Sequence, residues 1–118
     1  CDEYYNWNFI LKDNGISPWG WTQNALIQVD SKTREMRYTA EYYAYKHFSH
    51  FVTLGATMIG YSGREHAQTP IVVYRTSKGM VTIAGNFTDQ PQQTSIKIGE
   101  KYLNITMEPH SFNTYVIK

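Results

Sequence analysis

Apolar and polar positions alternate along the second half of the chain, beginning just after residue 55. Alternation with a period of two is typical of half-buried β-strands, and Gly, Pro, Asp and Ser separate the runs as turns would. In one run, Leu103, Ile105 and Met107 would form a core face. The pattern predicts six short strands and an antiparallel β-sandwich, or half of one. The runs cover residues 57–62, 70–77, 80–87, 93–99, 101–107 and 111–118.

The first half begins with an aromatic run, YYNWNFIL (residues 4–11), which ends at the turn signal KDNG (12–15). Aromatic residues are favoured in strands, so this run predicts a buried strand. A second apolar run, ALIQVD (25–30), predicts a short strand or the approach to one. The charged residues 31–35 that follow predict a turn.

Residues 38–52 have the period of a helix. Thr39 can cap its N-terminus, Glu41 lies in its positively polarised first turn, and Gly55 follows its end. The apolar positions fall on one helical face, which we expect to be the packed face: Ala44, Tyr45, Phe48, Phe51 and Val52. A strand, a loop and a helix in this order form a β/α unit.

Between the two predicted strands of the first half lies the loop SPWGWTQN (residues 17–24), which has two tryptophans around a glycine. Two interpretations are open. In one, the loop lines a ligand site, because an indole face is a stacking platform and binding residues collect on loops. In the other, Trp19 and Trp21 pack under the loop as a local lid.

Composition and charge narrow the classes of function. The 118 residues carry a net charge of +1 with no run of either sign, which argues against nucleic acid or an anionic membrane as a partner. No apolar stretch approaches the roughly 18 residues of a spanning helix, so no transmembrane segment is predicted. The single cysteine, Cys1, rules out an intrachain disulfide. Most of the aromatic residues lie in residues 4–51, which favours either an aromatic core or stacking faces for a ligand.

Candidate catalytic and metal-binding groups are few. His47 and His50 stand one helical turn apart, but no third ligand follows at a recognisable spacing, so we expect histidines hydrogen-bonded at an interface and no metal or cofactor. The acidic residues lie mostly in turns, where carboxylates are ordinarily solvated, and no pair can be nominated as general acid and base. Asn86 and Asn104 each begin an N-glycosylation sequon, which matters only in a chain exported from a eukaryotic cell.

Polar and aromatic side chains cluster at the mouth of the predicted β/α unit. In an α/β barrel the loops after the strands build the active site. Amides hydrogen-bond hydroxyl groups and indole rings cover C–H faces, which is what a neutral polyhydroxylated ligand requires. The cluster favours carbohydrate binding and consists of Trp7, Asn8, Trp19, Trp21, Gln23 and Asn24.

Three motifs in order resemble one enzyme family: YYNWNFILKDNG (4–15), WGWTQNALIQVD (19–30) and YTAEYYAYKHFSHFVTLGA (38–56). They are similar to the end of the catalytic domain in family 30 glycoside hydrolases, the glucosylceramidase and β-1,6-glucanase group. The closing PHSFNTYVIK resembles the last strand of that family's side β-sandwich. The resemblance implies an α+β fold: the last β/α unit of a (β/α)8 TIM barrel in residues 1–54, then an antiparallel β-sandwich side domain in residues 55–118.

The same resemblance implies a retaining β-glycosidase, in which two carboxylates about 5–5.5 Å apart act as nucleophile and acid/base. In this family both are glutamates on the fourth and seventh barrel strands, which would lie upstream of Cys1, so the chain alone is expected to be inactive. Asn6 and Gln23 stand where the glucosylceramidases have an acid and an arginine, which leaves a β-glucan or another β-glucoside open as substrate. The implied substrate-binding residues are Trp7, Asn24 and Trp21 by position, and Trp19 through the WGW form of the glucanase-type members.

The leading hypothesis is therefore the C-terminal portion of a retaining β-glycosidase that contributes to a substrate pocket. The alternatives are a stand-alone carbohydrate-binding or interaction module and one half of a split enzyme. The expected partners are a β-glucoside or glucan and either the upstream part of the barrel or a second copy, because strand edges and the helix face with Phe48 and Phe51 would otherwise be exposed. The family implies a secreted, periplasmic or lysosomal protein of carbohydrate or sphingolipid metabolism.

Overall fold

The computed structural model describes residues 3–63 and 67–118, so Cys1 and the disulfide expectation attached to it lie outside the described residues. The chain divides into two compact units, Cys1–Lys46 and His47–Lys118, and the boundary falls within the helix. The elements of the described residues are β1 (Ile10–Lys12), β2 (Ile27–Val29), β3 (Met36–Tyr38), α1 (Ala40–Phe51), β4 (Thr57–Ile59), β5 (Ile71–Thr76), β6 (Gly79–Asn86), β7 (Gln92–Ile98), β8 (Lys101–Met107) and β9 (Ser111–Ile117).

The second unit is built of antiparallel strands in two sheets. One sheet has the order β4-β5-β6-β9, and the other is the hairpin β7-β8. Each of the six predicted runs overlaps one of these strands, and only β6 and β7 begin one residue before their runs. Along β8, Ile105 and Met107 are buried, whereas Asn104 and Thr106 are exposed, so the predicted core and solvent faces are confirmed. The alternation of side chains thus produces a β-sandwich, as predicted.

The core of this sandwich lies between its two sheets. Ala84 of β6 packs with Ile105 and Met107 of β8, and all three are buried. Half-buried apolar residues of both sheets surround them: Ile71, Ile96, Leu103 and Tyr115. Burial of these side chains supplies most of the free energy that holds the sheets together.

A buried amide closes one end of the core. Asn86 Nδ2 donates hydrogen bonds to the carbonyl oxygens of Gln90 (2.8 Å), Met107 (3.1 Å) and Glu108 (3.1 Å). Its Oδ1 accepts hydrogen bonds from the Thr88 N–H (3.0 Å) and hydroxyl (2.8 Å). This single side chain therefore ties the turn after β6 to the end of β8.

The first unit contains a small mixed sheet. β1 pairs with β2 in parallel, β2 pairs with β3 antiparallel, and each strand has three residues. The ladder begins before β1, because the Leu26 and Ile27 N–H groups donate to the carbonyl oxygens of Asn8 (3.3 Å) and Phe9 (3.0 Å). Among the described apolar residues of this unit, those that are buried are Ala25, Leu26 and Ile27. The core of the first unit is accordingly one short run.

The predicted helix is confirmed as α1, with Thr39 as its N-cap. Thr39 Oγ1 accepts the Tyr42 N–H (3.3 Å) and its hydroxyl donates to the Ala25 carbonyl (2.8 Å). No residue of α1 is buried: on the predicted packed face Phe48 is exposed and Phe51 half-buried. Within the described residues, no helix has the length and apolar character that crossing a bilayer requires.

Two features of the first half differ from prediction. Residues 4–11 do not form a buried strand: β1 begins only at Ile10, and Trp7 and Phe9 are exposed. The reason is that no element within residues 3–63 covers the side chains of Trp7 and Phe9, which therefore meet solvent. The pattern does not predict β3: it assigns Tyr38 to the helix, whereas the structure has Met36–Tyr38 as an exposed strand and begins the helix at Ala40.

Candidate functional site

The loop that carries Trp19 and Trp21 is a tight, hydrogen-bonded turn. Ser17 N–H donates to the Trp21 carbonyl (2.8 Å), Trp21 N–H donates to Ser17 Oγ (3.2 Å), and Gly20 N–H donates to the Ser17 carbonyl (2.9 Å). Gly20 has a φ of 79°, a left-handed conformation that glycine adopts without strain. Since Ser17 is buried, the turn is anchored at its base and its tip projects outward.

A second hydrogen bond closes the base of the loop. Gln23 N–H donates to the Gly15 carbonyl (2.8 Å), which holds the two ends of the loop together. Gly15 has a φ of 90°, and a Cβ on it would lie 2.1 Å from the Gln23 carbonyl oxygen. Glycine is therefore required at this position to close the loop.

Trp19 and Trp21 form an exposed aromatic surface, which we call the indole pair. Their ring centroids are 6.2 Å apart with an interplanar angle of 35°. Trp19 is 74% exposed and Trp21 is 65% exposed. The interpretation of these residues as a buried lid is therefore wrong, whereas a pre-formed stacking surface is what a planar or sugar-like ligand can use.

Trp7 lies on the segment before β1 and is 85% exposed. Side chains alternate along this segment: Asn6 and Asn8 are half-buried, whereas Tyr5, Trp7 and Phe9 are exposed. Within residues 3–63, the ring contact of the indole pair does not extend to Trp7. An exposed row of aromatic side chains is the kind of surface that marks an interaction site.

Asn8 connects this segment to the end of the loop. Its Nδ2 donates to the Asn24 carbonyl (3.1 Å) and to Gln23 Oε1 (3.4 Å). The Asn24 side chain is exposed. Four residues were predicted to bind substrate. The structure brings Trp19 and Trp21 into ring contact. The Asn24 carbonyl is hydrogen-bonded to Asn8, which follows Trp7 in the chain.

A recess of about 650 Å³ opens beside Asn24. Its wall includes Arg37 of β3 and Glu41 of α1. Glu41 Oε1 accepts a hydrogen bond from Asn6 Nδ2 (3.4 Å), and Arg37 donates to the Gln28 side chain. Neither Arg37 nor Glu41 was predicted as a site residue. The sequence indicates Glu41 only as a first-turn acid, because no local pattern pairs residues that are 35 positions apart.

Two other carboxylates of the first unit are held in the ionised form. Hydrogen bonds from Ser31, whose N–H lies 3.0 Å from Asp13 Oδ1, lower the pKa of Asp13. The N–H groups of Thr33 and Lys32 donate to Asp30 Oδ1 at 2.8 Å each and lower the pKa of Asp30. A general acid at neutral pH requires a raised pKa, so Asp13 and Asp30 are unsuited to that role.

One of the two helix histidines, His47, packs within the second unit. His47 Nδ1 lies 2.7 Å from Thr114 Oγ1, and its ring stands 6.0 Å from the Phe112 ring. Burial lowers the pKa of His47. The prediction of a histidine hydrogen-bonded at an interface is confirmed for this residue. No group of three or more His, Cys, Asp or Glu in residues 3–63 and 67–118 could hold a metal ion.

The groups gathered in the first unit are suited to binding. The indole pair offers flat apolar faces for the C–H groups of a ring, and Asn24 offers an amide for its hydroxyl groups. Glu41 adds an acceptor in the recess, and Arg37 adds donors.

No protein-family model and no curated protein sequence matches this chain. Solved structures with a similar fold include SrfJ and an endo-β1,6-glucanase. SrfJ from Salmonella typhimurium superimposes with a TM-score of 0.80 and 23% identity, over 90% of this chain and 24% of that one. The endo-β1,6-glucanase BT3312 superimposes with a TM-score of 0.77 and 18% identity, over 92% of this chain and 25% of that one. The chain thus shares their fold and spans about a quarter of the length of each.

Proposed function

We propose that the chain is the C-terminal portion of a longer retaining β-glycosidase that hydrolyses β-glucosidic bonds. The observation that carries the proposal is the indole pair, which is exposed and pre-formed on a chain whose fold is similar to part of an endo-β1,6-glucanase. The motif resemblance to family 30 glycoside hydrolases supports the same function. A glucan is the substrate class that both considerations favour, and such a substrate suits a secreted or periplasmic enzyme.

In this proposal Trp7, Trp19, Trp21 and Asn24 contact substrate. The indoles stack on sugar rings, and the Asn24 amide hydrogen-bonds a hydroxyl group. The nucleophile and the acid/base are glutamates of barrel strands outside these 118 residues, as in the family that the motifs resemble. The chain by itself then binds sugar weakly and does not cleave it.

In this proposal residues 1–54 become the last β/α unit of a (β/α)8 barrel, and residues 55–118 become the side β-sandwich. Two observations favour this arrangement. The segment before β1 exposes a row of aromatic side chains, and α1 has no buried residue. Apolar surfaces of this kind ordinarily have a partner, which the preceding parts of a barrel would supply.

The first experiment measures the mass of the native polypeptide with an antibody against residues 56–118. We expect a band several times larger than 13.7 kDa, and hydrolysis of an aryl β-glucoside and of a β-glucan by that polypeptide. Trp21→Ala should lower kcat/KM about tenfold, the equivalent of one lost aromatic contact of about 1.4 kcal/mol. Tyr102→Ala, an exposed aromatic residue of β8, is the matched control. Turnover by the isolated 118-residue chain would contradict the proposal.

The second candidate function is a stand-alone carbohydrate-binding module. The indole pair also favours this function, because paired exposed aromatic rings bind glycans without any catalytic group. It predicts a native band at 13.7 kDa and binding of the 118-residue chain to insoluble β-glucan. Trp21→Ala would then abolish this binding and Tyr102→Ala would preserve it.

A further inference from the structure

The segment that carries Trp7 precedes the regular part of its sheet. Among residues 3–63, Asn8 is the first residue that a backbone hydrogen bond joins to the run containing β2, since its carbonyl oxygen accepts from the Leu26 N–H (3.3 Å). The strand β1 itself begins at Ile10. In an extended chain a shift of one residue exchanges the two faces. Contacts other than the sheet ladder must therefore fix which side chains of residues 4–7 point outward.

Two contacts of this kind come from the helix α1. Asn6 Nδ2 donates a hydrogen bond to Glu41 Oε1 (3.4 Å). The Tyr45 hydroxyl donates to the Tyr4 carbonyl oxygen (3.2 Å), and the rings of the two tyrosines lie 5.7 Å apart. Glu41, Tyr45 and Asn6 are half-buried, and all four residues belong to the first compact unit. The first half of α1 thus holds the segment through side chains.

The spacing of the two contacts agrees on both elements. Glu41 and Tyr45 are four residues apart, so they lie on one face of the helix, about 6 Å apart along its axis. Tyr4 and Asn6 are two residues apart, and an extended chain advances about 6.6 Å over two residues. The helix meets the segment in the opposite direction, because the later helix residue contacts the earlier segment residue. Alternate residues of the segment therefore match successive turns of α1.

These contacts determine the direction of Trp7. Trp7 lies between Asn6 and Asn8, which are both half-buried, and Asn8 Nδ2 donates to the Asn24 carbonyl oxygen (3.1 Å). Since successive side chains of an extended chain point to opposite sides, hydrogen bonds to the two asparagines turn Trp7 outward, where it is 85% exposed. A shift of one residue would turn Trp7 toward α1 and an asparagine outward.

We infer that Glu41 and Tyr45 are positioning residues for Trp7: from α1 they hold the segment in the register that directs the Trp7 indole to the substrate. The inference rests on the proposed function, in which Trp7 contacts a glucan. Glu41 and Tyr45 act through the segment and do not touch the sugar. Asn8 completes the arrangement on the other side of Trp7, where it joins the segment to the end of the loop that carries the indole pair.

The first test is steady-state kinetics of the longer native polypeptide on a soluble β-glucan. Glu41→Ala should raise KM about fivefold with little change in kcat, because stacking on Trp7 is made in the ground state and the transition state alike. Glu41→Gln keeps the acceptor for Asn6, so its KM should stay within about twofold of the native value. Glu35→Ala deletes the same atoms at an exposed position and is the matched control. A fall in kcat at constant KM indicates loss of folded protein and would overturn the inference.

Tyr45 is tested in the same assay. Tyr45→Phe removes the hydroxyl that donates to Tyr4 and keeps the ring contact, so KM should rise by a smaller factor, about twofold. Tyr43→Phe removes the hydroxyl of an exposed tyrosine on the same helix and should leave KM unchanged. Equal KM values for the two variants would overturn the role of Tyr45.

A double-mutant cycle separates positioning from direct contact with the substrate. The distinction matters because Glu41 also lies in the wall of the recess beside Asn24. If Glu41 acts through Trp7, the two substitutions are not additive. In a Trp7→Ala background, Glu41→Ala should therefore change KM by less than about 1.5-fold. A Glu41→Ala effect that is equally large without Trp7 would overturn the inference.

A readout that does not depend on catalysis separates this inference from the proposed function. In the native polypeptide labelled with fluorotryptophan, the fluorine NMR signal of Trp7 is identified by its loss in Trp7→Phe. We expect a single narrow signal in the native protein and in Glu41→Gln, and a shifted or broadened signal in Glu41→Ala. An unchanged signal in Glu41→Ala would overturn the inference and leave the proposed function intact. A signal that depends on Glu41 in a polypeptide that neither binds nor cleaves β-glucan would support the positioning of Trp7 and overturn the proposed function.

Discussion

The two units of the chain use their apolar side chains in opposite ways. The first unit holds all three tryptophans, and each of them is exposed. Its strands have three residues each, and its buried apolar residues form one run, Ala25–Ile27. The second unit has strands of up to eight residues and buries Ile83, Ala84 and Met107 between or against its sheets.

This difference shows that aromatic content does not by itself make a core. A side chain contributes burial free energy only where another surface excludes water from it. The second unit provides that surface internally, because its two sheets face each other. The three tryptophans of the first unit remain exposed, so the stability of this unit and its function should respond to different substitutions.

The largest expected effect is on the core of the second unit. Met107→Ala removes a fully buried side chain and should lower the free energy of unfolding by about 2–5 kcal/mol. Met36→Ala, at an exposed position of the first unit, should change it by no more than about 0.5 kcal/mol. Urea unfolding followed by circular dichroism measures both. Equal losses would contradict the difference between the units.

The buried amide should rank second. Asn86→Ala leaves three carbonyl oxygens without their donor, and we expect a loss of about 2–3 kcal/mol in the same measurement. Asn104→Ala removes the exposed acceptor of the Ser95 hydroxyl (2.7 Å) and should be nearly neutral. The two substitutions delete the same atoms, so a similar loss for both would mean that the Asn86 hydrogen bonds do not stabilise the fold.

Removing the helix N-cap should lower the free energy of unfolding by a smaller amount. Thr39→Ala removes the acceptor of the Tyr42 N–H and the donor to the Ala25 carbonyl, and should cost about 1–2 kcal/mol. Ser49→Ala lies at an exposed position inside α1 and should not destabilise the chain, because alanine is the better helix former. Helix content and Tm of the two variants provide the measurement.

The pH dependence of stability that arises from His47, in the second unit, should be smaller again. Because burial lowers the pKa of His47, the unfolded chain binds a proton near pH 6.5 more readily than the folded chain does. Stability from this residue is therefore present above about pH 6.5 and declines as the pH falls toward its folded pKa. His47→Gln should flatten the Tm profile between about pH 7.5 and 5.5. His50→Gln controls for removal of a helix histidine, and an unchanged profile in the His47 variant would refute this origin.

The smallest stability effect should be at the indole pair. Trp21→Ala removes a largely exposed ring and should change the free energy of unfolding by no more than about 0.5 kcal/mol. The same variant should lose glucan binding or activity. A loss above about 1 kcal/mol, seen also in Trp19→Ala, would mean that the indole pair stabilises the first unit by packing.

Much of the second unit follows from local pattern. Alternation along residues 101–107 correctly predicts which side chains of β8 are buried, because a strand directs successive side chains to opposite faces. The helix is predicted equally well, since Thr39 supplies its N-cap. Gly55 has a φ of 81° just beyond its end. These features depend on backbone geometry, which neighbouring residues control.

The candidate site could be predicted only in part. The sequence indicates the two tryptophans and their glycine, and the turn chemistry of SPWGW explains their projection. It does not indicate that Glu41 meets Asn6, or that Arg37 lies beside Asn24, because these contacts join different elements. Alternation along its strand places Asn104 on the solvent face, where the structure has it exposed, but nothing in the sequence indicates that Asn86 is a buried structural amide.

The sequence by itself determined the strands of the sandwich, the helix with its cap, and the chemical character of the exposed loop. The tertiary structure alone decided which apolar faces are covered and which amide is buried. The physical reason is that backbone conformation responds to residues a few positions away. Burial and hydrogen-bond satisfaction depend on surfaces that meet across the fold, and no local pattern records them.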